Sequence, residues 1–233
     1  MNVLIVGNGH MGSVLYKELV VLGEPVTIVP DLNRPIEGIF DVIIDFSHPD
    51  GIEAIVKYSR KHKIPTVIAT TGYSEEQFQL IESLSEEVAV LYSGNYSLGV
   101  ILMERLVREA TKVLGGIFDI EIIEKHHNHK IDAPSGTAKM ILEAANENLN
   151  YDVIYGRSGV CKRQDKEISV HAVRGGSIVG EHEIIYAGDD EILSIKHEAT
   201  SRAIFAKGAI KGALWLLDKN PGRYNMEDVL FGD

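Results

Sequence analysis

Residues 3–12 read "VLIVGNGHMG", a four-residue apolar run followed by glycines in G-x-G-x-x-G order at Gly7, Gly9 and Gly12. The apolar run has the length of a buried strand, and residues 11–22 carry their apolar side chains at helical spacing. Strand, glycine turn and helix together open a βαβ unit. Glycine lets a backbone approach a pyrophosphate closely, and a helix N-terminus offers N–H donors and a positive dipole end. A tight strand–helix turn that binds nothing has the same glycines, so the motif alone is weak. Asp31 strengthens it: it follows a second strand at 25–29, where a carboxylate accepts a hydrogen bond from a ribose 2′-hydroxyl.

Outward from that start, strand signals at 41–46, 66–69 and 88–92 alternate with helical stretches such as 51–62. Buried strands alternating with helices specify a parallel sheet with right-handed crossovers. Two loops, "ATTG" at 69–72 and "SGNYS" at 93–97, fall at the C-terminal strand ends where open α/β sheets bind ligands. Turn and helix-cap chemistry competes with a binding role there, as it does at Ser47 and Ser74. The pattern changes near residue 97. A helix at 98–114 precedes the half-alternating strand "FDIEIIEKHH", a loop and a helix at 135–148. Three strand-like runs follow, "EISVHAVRGG", "SIVGEHEIIYAG" and "DEILSIKHEA", and then a helix at 202–217. Strands joined by Gly-Gly and Gly-Asp-Asp turns imply an antiparallel or mixed sheet. The expected architecture is α/β with two domains. Residues 1–96, rejoined by a tail at about 206–233, bind a dinucleotide on a parallel sheet, and residues 97–205 form an α+β domain for substrate and oligomerisation.

Composition narrows the classes. With 45% hydrophobic and 24% charged residues the chain is ordinary globular material. The longest apolar runs are strand-sized, which argues against a membrane partner, and the N-terminus lacks the basic region of a signal peptide. A net charge of −11 argues against nucleic acid. The one cysteine, Cys161, excludes an internal disulfide and a metal–thiolate cluster. A cytoplasmic location is the resulting expectation.

Against that acidic background, "EKHHNHKIDAPSGTA" at 124–138 gathers three histidines and two lysines before a Pro-Ser-Gly turn. A metal site is disfavoured, because His126 and His127 point to opposite faces of an extended chain and no cysteine or second acidic cluster is nearby. A solvated basic loop is the second reading. The third is a pocket for a small dicarboxylate, in which histidine or lysine delivers a proton and the other cations hold carboxylates. "PSGT" supports it by starting a helix whose N–H and hydroxyl donors suit an anion.

These residues resemble the signature of the 4-hydroxy-tetrahydrodipicolinate reductase family, also called dihydrodipicolinate reductase. "GNGHMG", "DFSHP", "ATTGYS", "NYSLGV", "VRGGSIVGEHEIIYAG" and "HEATSRAIFAKGAIKGALWL" follow the family's order across nearly the whole chain. The resemblance implies an N-terminal Rossmann domain rejoined by the C-terminal helix, a mixed-sheet substrate domain and a homotetramer. It implies that His126 exchanges the proton, that Lys130 is a second donor, and that His127, Gly136 and Thr137 contact substrate. It makes Gly7, Asn8, Gly9, His10, Met11 and Gly12 the pyrophosphate loop. Ala69, Thr70, Thr71, Ser93, Gly94, Asn95 and Tyr96 become the other cofactor loops.

The chain departs from the family pattern in three places. The glycine loop is a residue shorter than the common form. Tyr96 replaces a more usual phenylalanine, which places a hydroxyl near the expected nicotinamide. "LNRP" after Asp31 leaves NADH and NADPH both open, with Asp31 favouring NADH modestly over the pull of Arg34 on a 2′-phosphate. An amino-acid or amine dehydrogenase, or a non-enzymatic NAD sensor, would keep the glycines without needing the histidine–lysine segment.

Overall fold

The computed structural model describes residues 1–232. In chain order the elements begin with β1 (Val3–Val6), α1 (His10–Val21), β2 (Val26–Val29), β3 (Val42–Asp45), α2 (Ile52–His62), β4 (Thr66–Ile68), α3 (Glu75–Ser85) and β5 (Ala89–Tyr92). Next come α4 (Leu98–Leu114), β6 (Asp119–His126), α5 (Gly136–Asn146), β7 (Asp152–Tyr155), β8 (Glu167–Arg174), β9 (Gly180–Ala187) and β10 (Ile192–Ala199). The chain closes with α6 (Ala203–Leu216), β11 (Gly222–Tyr224) and α7 (Met226–Phe231). It divides into two compact units, Met1–Leu98 with the segment from Arg202 onward, and Gly99–Ser201.

The first unit is a six-stranded sheet in the order β11-β5-β4-β3-β1-β2, parallel at every pairing. The side chains of β1 and β3 are all buried, as expected for central strands covered on both faces. Helix α1 buries Gly12, Leu15 and Leu19, one stripe at three- and four-residue spacing. Helix α3 starts at a capping box in which the Ser74 hydroxyl accepts from the Gln77 N–H and the Gln77 side chain accepts from the Ser74 N–H. Helix α6 lies unusually close to the sheet. A Cβ on Gly208 would meet the Tyr96 carbonyl oxygen at 1.6 Å, and one on Gly212 would meet Leu91 Cδ2 at 2.3 Å. Because all the strands run the same way, the loops after β1, β2, β3, β4 and β5 emerge at one edge of the sheet.

The second unit is a five-stranded mixed sheet in the order β10-β9-β6-β8-β7. Ile120, Ile122, Ile168, Val170, Ile184 and Tyr186 face Met103 and Val107 of α4 and Ile141 and Ala145 of α5. The Tyr186 hydroxyl, buried in that core, lies 2.6 Å from Thr111 Oγ1 and donates to the Val107 carbonyl. The antiparallel hairpin expected from "SIVGEHEIIYAGDDEILSIKHEA" is present as β9–β10.

The sheet is mixed, one of the two forms expected. The "EISVHAVRGG" and "SIVGEHEIIYAG" strands, β8 and β9, are not neighbours. Strand β6 lies between them, parallel to β8 and antiparallel to β9. Their glycine link passes over the end of β6, where the Gly175 N–H donates to the His126 carbonyl and Asn128 N–H donates to the Gly176 carbonyl. Strands β7 and β11 and helices α3 and α7 are additional elements. Helices legible in the sequence start or end within one or two residues of their expected limits, the ordinary scatter of frayed termini.

Gly208→Ala should lower unfolding stability by about 2–3 kcal/mol, because the new methyl collides with backbone that cannot move aside. A urea-denaturation midpoint equal to that of the wild type would contradict this account of how α6 packs.

Candidate active site

In the first unit, the glycine turn between β1 and α1 divides its labour. Gly7 has φ +102°, and a Cβ there would lie 2.3 Å from the Phe46 carbonyl oxygen. A Cβ on Gly12 would lie 1.8 Å from the Gly7 carbonyl oxygen. Those two glycines are required by packing. Gly9 is exposed at the N-cap of α1, has nothing within 4 Å of a built Cβ and supplies no side-chain cap. Open backbone at an uncapped helix N-terminus fits a pyrophosphate. Asn8 and His10 flank it as exposed residues, and Met11 is half-buried.

Asp31 follows β2 and its Oδ1 accepts from the Asn33 N–H at 2.8 Å. Asp31 and Asn33 help line a cavity of about 170 Å³ with Val6, Pro30, Leu32 and Ser47, among others, and Arg34 is not part of that lining. Beside it, the side chain of Asp45 is fully buried at the end of β3. It accepts from the Ser47 hydroxyl at 2.5 Å, the Ser47 N–H at 3.0 Å and the Tyr73 hydroxyl at 3.3 Å. Burial pushes the Asp45 carboxyl above its usual range, against the pull of those donors. Asp45 therefore ties the loops after β3 and β4 together.

Several cofactor-loop residues turn inward. Thr70 is buried and its Oγ1 accepts from the Ser47 N–H at 2.9 Å. Ser93 and Asn95 are buried, and Asn95 Oδ1 accepts from the Ser97 N–H ahead of α4. The hydroxyl of Tyr96 points into the fold, 2.8 Å from the Ile68 carbonyl oxygen and 3.0 Å from that of Leu91. This corrects the expectation of a hydroxyl at the nicotinamide: the carbonyls ending β4 and β5 are buried, and a donor is needed there. Thr71 and Gly94 are exposed and Ala69 is half-exposed, so the loops offer a ligand those residues.

In the second unit, the "EKHHNHKIDAPSGTA" segment folds around the fully buried carboxylate of Glu124. Strand pairing sets Arg174 of β8 opposite His126, and His182 of β9 opposite Glu124. Arg174 grips the carboxylate with both terminal nitrogens, at 2.8 and 2.7 Å. The Ser135 N–H donates to it at 3.1 Å, and His126 Nδ1 lies 2.6 Å away. Ser135 is the N-cap of α5: its hydroxyl accepts from the Ala138 N–H and lies 2.9 Å from His182 Nε2. The His126 and His182 rings meet edge to face with centroids 5.1 Å apart.

Lys130 is paired within its own loop. Its Nζ pairs with Asp132 Oδ1 at 2.8 Å, and the Asp132 carbonyl accepts from Arg174 at 2.7 Å. Lys130, Asp132, Arg174, Glu124 and His126 thus form one connected chain of polar contacts. Gly136 opens α5 on an exposed, uncrowded face, with the half-buried Thr137 next to it. The half-buried ring of His127 lies 6.4 Å from that of His129. Arg174 and His182 lie within the "VRGGSIVGEHEIIYAG" motif, but residue order gave them no role at the site, since only β-pairing brings them to the segment.

Burial disfavours the charged form of Glu124, but Arg174, His126 and the Ser135 N–H outweigh it and hold the carboxyl below its usual range. Lys130 holds Asp132 low in the same way. For His182, burial first and the neighbouring His126 second push the imidazole down to about 4, so it is neutral near pH 7.

A parallel sheet with a glycine turn after its first strand is the architecture of the Rossmann-type oxidoreductases, and the same chain carries a second unit with clustered imidazoles, paired cations and a helix N-terminus. The model described as "Dihydrodipicolinate reductase, N-terminus" matches residues 22–96, and "Dihydrodipicolinate reductase, C-terminus" matches residues 99–230. This chain belongs to the dihydrodipicolinate reductase family. The 4-hydroxy-tetrahydrodipicolinate reductase of Brachyspira hyodysenteriae is 46% identical over 233 residues, 99% of this chain and 100% of that one. The protein of that name from Caldanaerobacter subterraneus subsp. tengcongensis is 51% identical over 193 residues, 82% of this chain and 76% of its own. The dipicolinate-bound dihydrodipicolinate reductase from Paenisporosarcina sp. TG-14 shares the fold, with a TM-score of 0.75 at 22% identity over 97% of each chain. A myo-inositol dehydrogenase from Corynebacterium glutamicum is similar in fold, with a TM-score of 0.56 at 13% identity, covering 100% of this chain and 93% of that one.

The folded pKa of His182 lies below its unfolded value, so the unfolded chain takes up that proton first. Stability should therefore fall as pH drops from about 6.5 to about 4. The effect is at most about 3 kcal/mol, and His197, also lowered by burial, acts with the same sign. Glu124, depressed in the folded state, contributes stability that is present above the unfolded carboxyl value and is lost at lower pH still. Chemical denaturation across this range should show a shallower slope for His182→Gln. An identical slope in variant and wild type would contradict the assignment.

Proposed function

We infer that this chain is an NAD(P)H-dependent reductase of 4-hydroxy-tetrahydrodipicolinate, forming tetrahydrodipicolinate in lysine and diaminopimelate biosynthesis. The observation that carries this is the convergence of imidazole, lysine and a helix N-terminus in the Glu124 pocket. It is joined by likeness along the full length of a reductase of that name. A dehydrogenase relying on the glycine turn alone would have no use for that pocket.

The conversion replaces a hydroxyl by hydrogen, so a hydride and a proton enter and water leaves. When bound, NAD(P)H would supply the hydride, and Gly9 with the first turn of α1 would hold its pyrophosphate. His126 and Lys130 supply the proton, which neutralises charge developing on the ring as hydride arrives. His127 and the N–H groups of Gly136 and Thr137 receive the substrate carboxylates. Asp132 holds the Lys130 ammonium in place until a substrate carboxylate competes for it.

The assembly we propose is a cytoplasmic homotetramer built through the second unit. Strand β10 supports it: it is an edge strand with Ile192 71% and Leu193 44% exposed, a surface suited to another copy. Light scattering that returned a monomer at micromolar concentration would overturn the tetramer.

The activity test supplies substrate from dihydrodipicolinate synthase, pyruvate and aspartate semialdehyde and follows NADH oxidation. Wild type should oxidise NADH, and Lys130→Ala should lose at least about a hundredfold in kcat with NADH binding intact. Turnover of the variant near the wild-type rate would remove Lys130 from the chemistry.

For the cofactor we propose a preference for NADH by about 1 kcal/mol, a few-fold in affinity, because Asp31 follows β2 beside the cavity with its carboxylate fixed by the Asn33 N–H. Asp31→Ala should weaken NADH and improve NADPH, whereas Arg34→Ala should harm mainly NADPH. Titration showing NADPH bound tenfold more tightly by wild type would reverse the assignment.

A further inference from the structure

We propose that Glu124 is a positioning residue that holds His126 in the tautomer protonated on Nδ1, so that Nε2 alone exchanges the proton with substrate. This rests on the reading of His126 as a proton-transfer group. The geometry leaves little choice of tautomer. An ionised carboxylate only accepts hydrogen bonds, and three of the four contacts to Glu124 come from groups that only donate: Arg174 Nη1, Arg174 Nη2 and the Ser135 N–H. The fourth is His126 Nδ1, at 2.6 Å from Oε2. Two acceptors at that separation would repel, so the hydrogen sits on Nδ1 and the lone pair of the neutral ring sits on Nε2.

The Nε2 side of the ring is kept open. Gly180 of β9 faces it, and a Cβ there would come within 3.1 Å of Nε2. The charged and titratable groups around the ring are Glu124 on β6, Arg174 on β8, His182 on β9, and Lys130 on the loop. His182 stands at the ring with its Nε2 engaged by the Ser135 hydroxyl. The same carboxylate that orients His126 through Oε2 anchors the N-cap of α5 through Oε1. One buried side chain therefore sets the distance between the proton-exchanging nitrogen and the helix N-terminus. A carboxylate that merely held β6 to β8 would have no need to contact the imidazole.

The test uses the full chain with ¹⁵N-labelled histidine, His126 being assigned by the resonances lost in His126→Asn. Wild type above the histidine titration should show Nδ1 protonated and Nε2 bare. In Glu124→Gln the amide oxygen can keep Arg174 Nη2 and the Ser135 N–H while its NH₂ faces His126 and gives up the Arg174 Nη1 contact, so the ring should shift to the Nε2–H tautomer. Its kcat should drop at least about a hundredfold with the NADH dissociation constant unchanged. Glu124→Asp, which keeps the acceptor, should restore part of the rate and of the Nδ1–H signal. Wild-type His126 protonated on Nε2 overturns the proposal, as does a Glu124→Gln enzyme within about threefold of wild-type kcat. Should Glu124→Gln fail to fold, the wild-type tautomer decides by itself. A wild type without reductase activity would defeat the functional reading, and the tautomer measurement would still decide this one.

Discussion

A carboxylate with no exposed surface has to recover the hydration it loses, and Glu124 does so with four donors from separate parts of the chain. Moving a charge of this kind out of water costs several kcal/mol, and an incomplete set of partners leaves most of that cost standing. The requirement places Arg174 at the end of β8, Ser135 at the head of α5 and His126 two residues along β6 in one fixed arrangement. The crossing of β6 between β8 and β9 follows the same logic. It puts the arginine on one side of the carboxylate and His182 on the other.

The two units use helix N-termini in contrasting ways. Helix α1 has no side-chain cap, and Gly9 leaves the backbone at its N-terminus uncrowded. Helix α5 has a serine cap satisfied from within, and that cap is locked to Glu124, so its position is defined before any anion arrives. Glycine serves packing at Gly7, Gly12 and Gly208, where backbone stands inside the radius of any Cβ. At Gly9 and Gly136 packing makes no such demand, since nothing lies within 4 Å of a Cβ there.

The acidic chain concentrates nitrogen at residues 124–138 without leaving that charge unbalanced. Lys130 is matched by Asp132 and Arg174 by Glu124, while His182 is kept neutral by burial. The segment therefore carries little net charge of its own. A self-paired pocket of this kind avoids the like-charge repulsion that the bare sequence suggests.

Local regularities were legible from residue order. The apolar run 3–6 and its glycine turn specified β1 and α1, and the half-alternating run ending at His126 specified β6, because both patterns depend on neighbours a few residues apart. The short edge strands β7 and β11 were not legible, since a strand of three or four residues carries almost no periodicity. The hydroxyl of Tyr96 could be read from sequence as a cofactor contact, but whether it faced a ligand or two buried carbonyls was decided by the approach of β4 and β5. The sequence alone determined the parallel nucleotide sheet, the glycine turn and the histidine–lysine segment with its helix start. Only the tertiary structure decided that Glu124 is the centre of that segment and that Arg174 and His182 complete it. They lie fifty or more residues further along the chain, and strand pairing brings Arg174 to the carboxylate and His182 to the Ser135 hydroxyl, a long-range choice fixed by burial of one sheet face rather than by any local pattern.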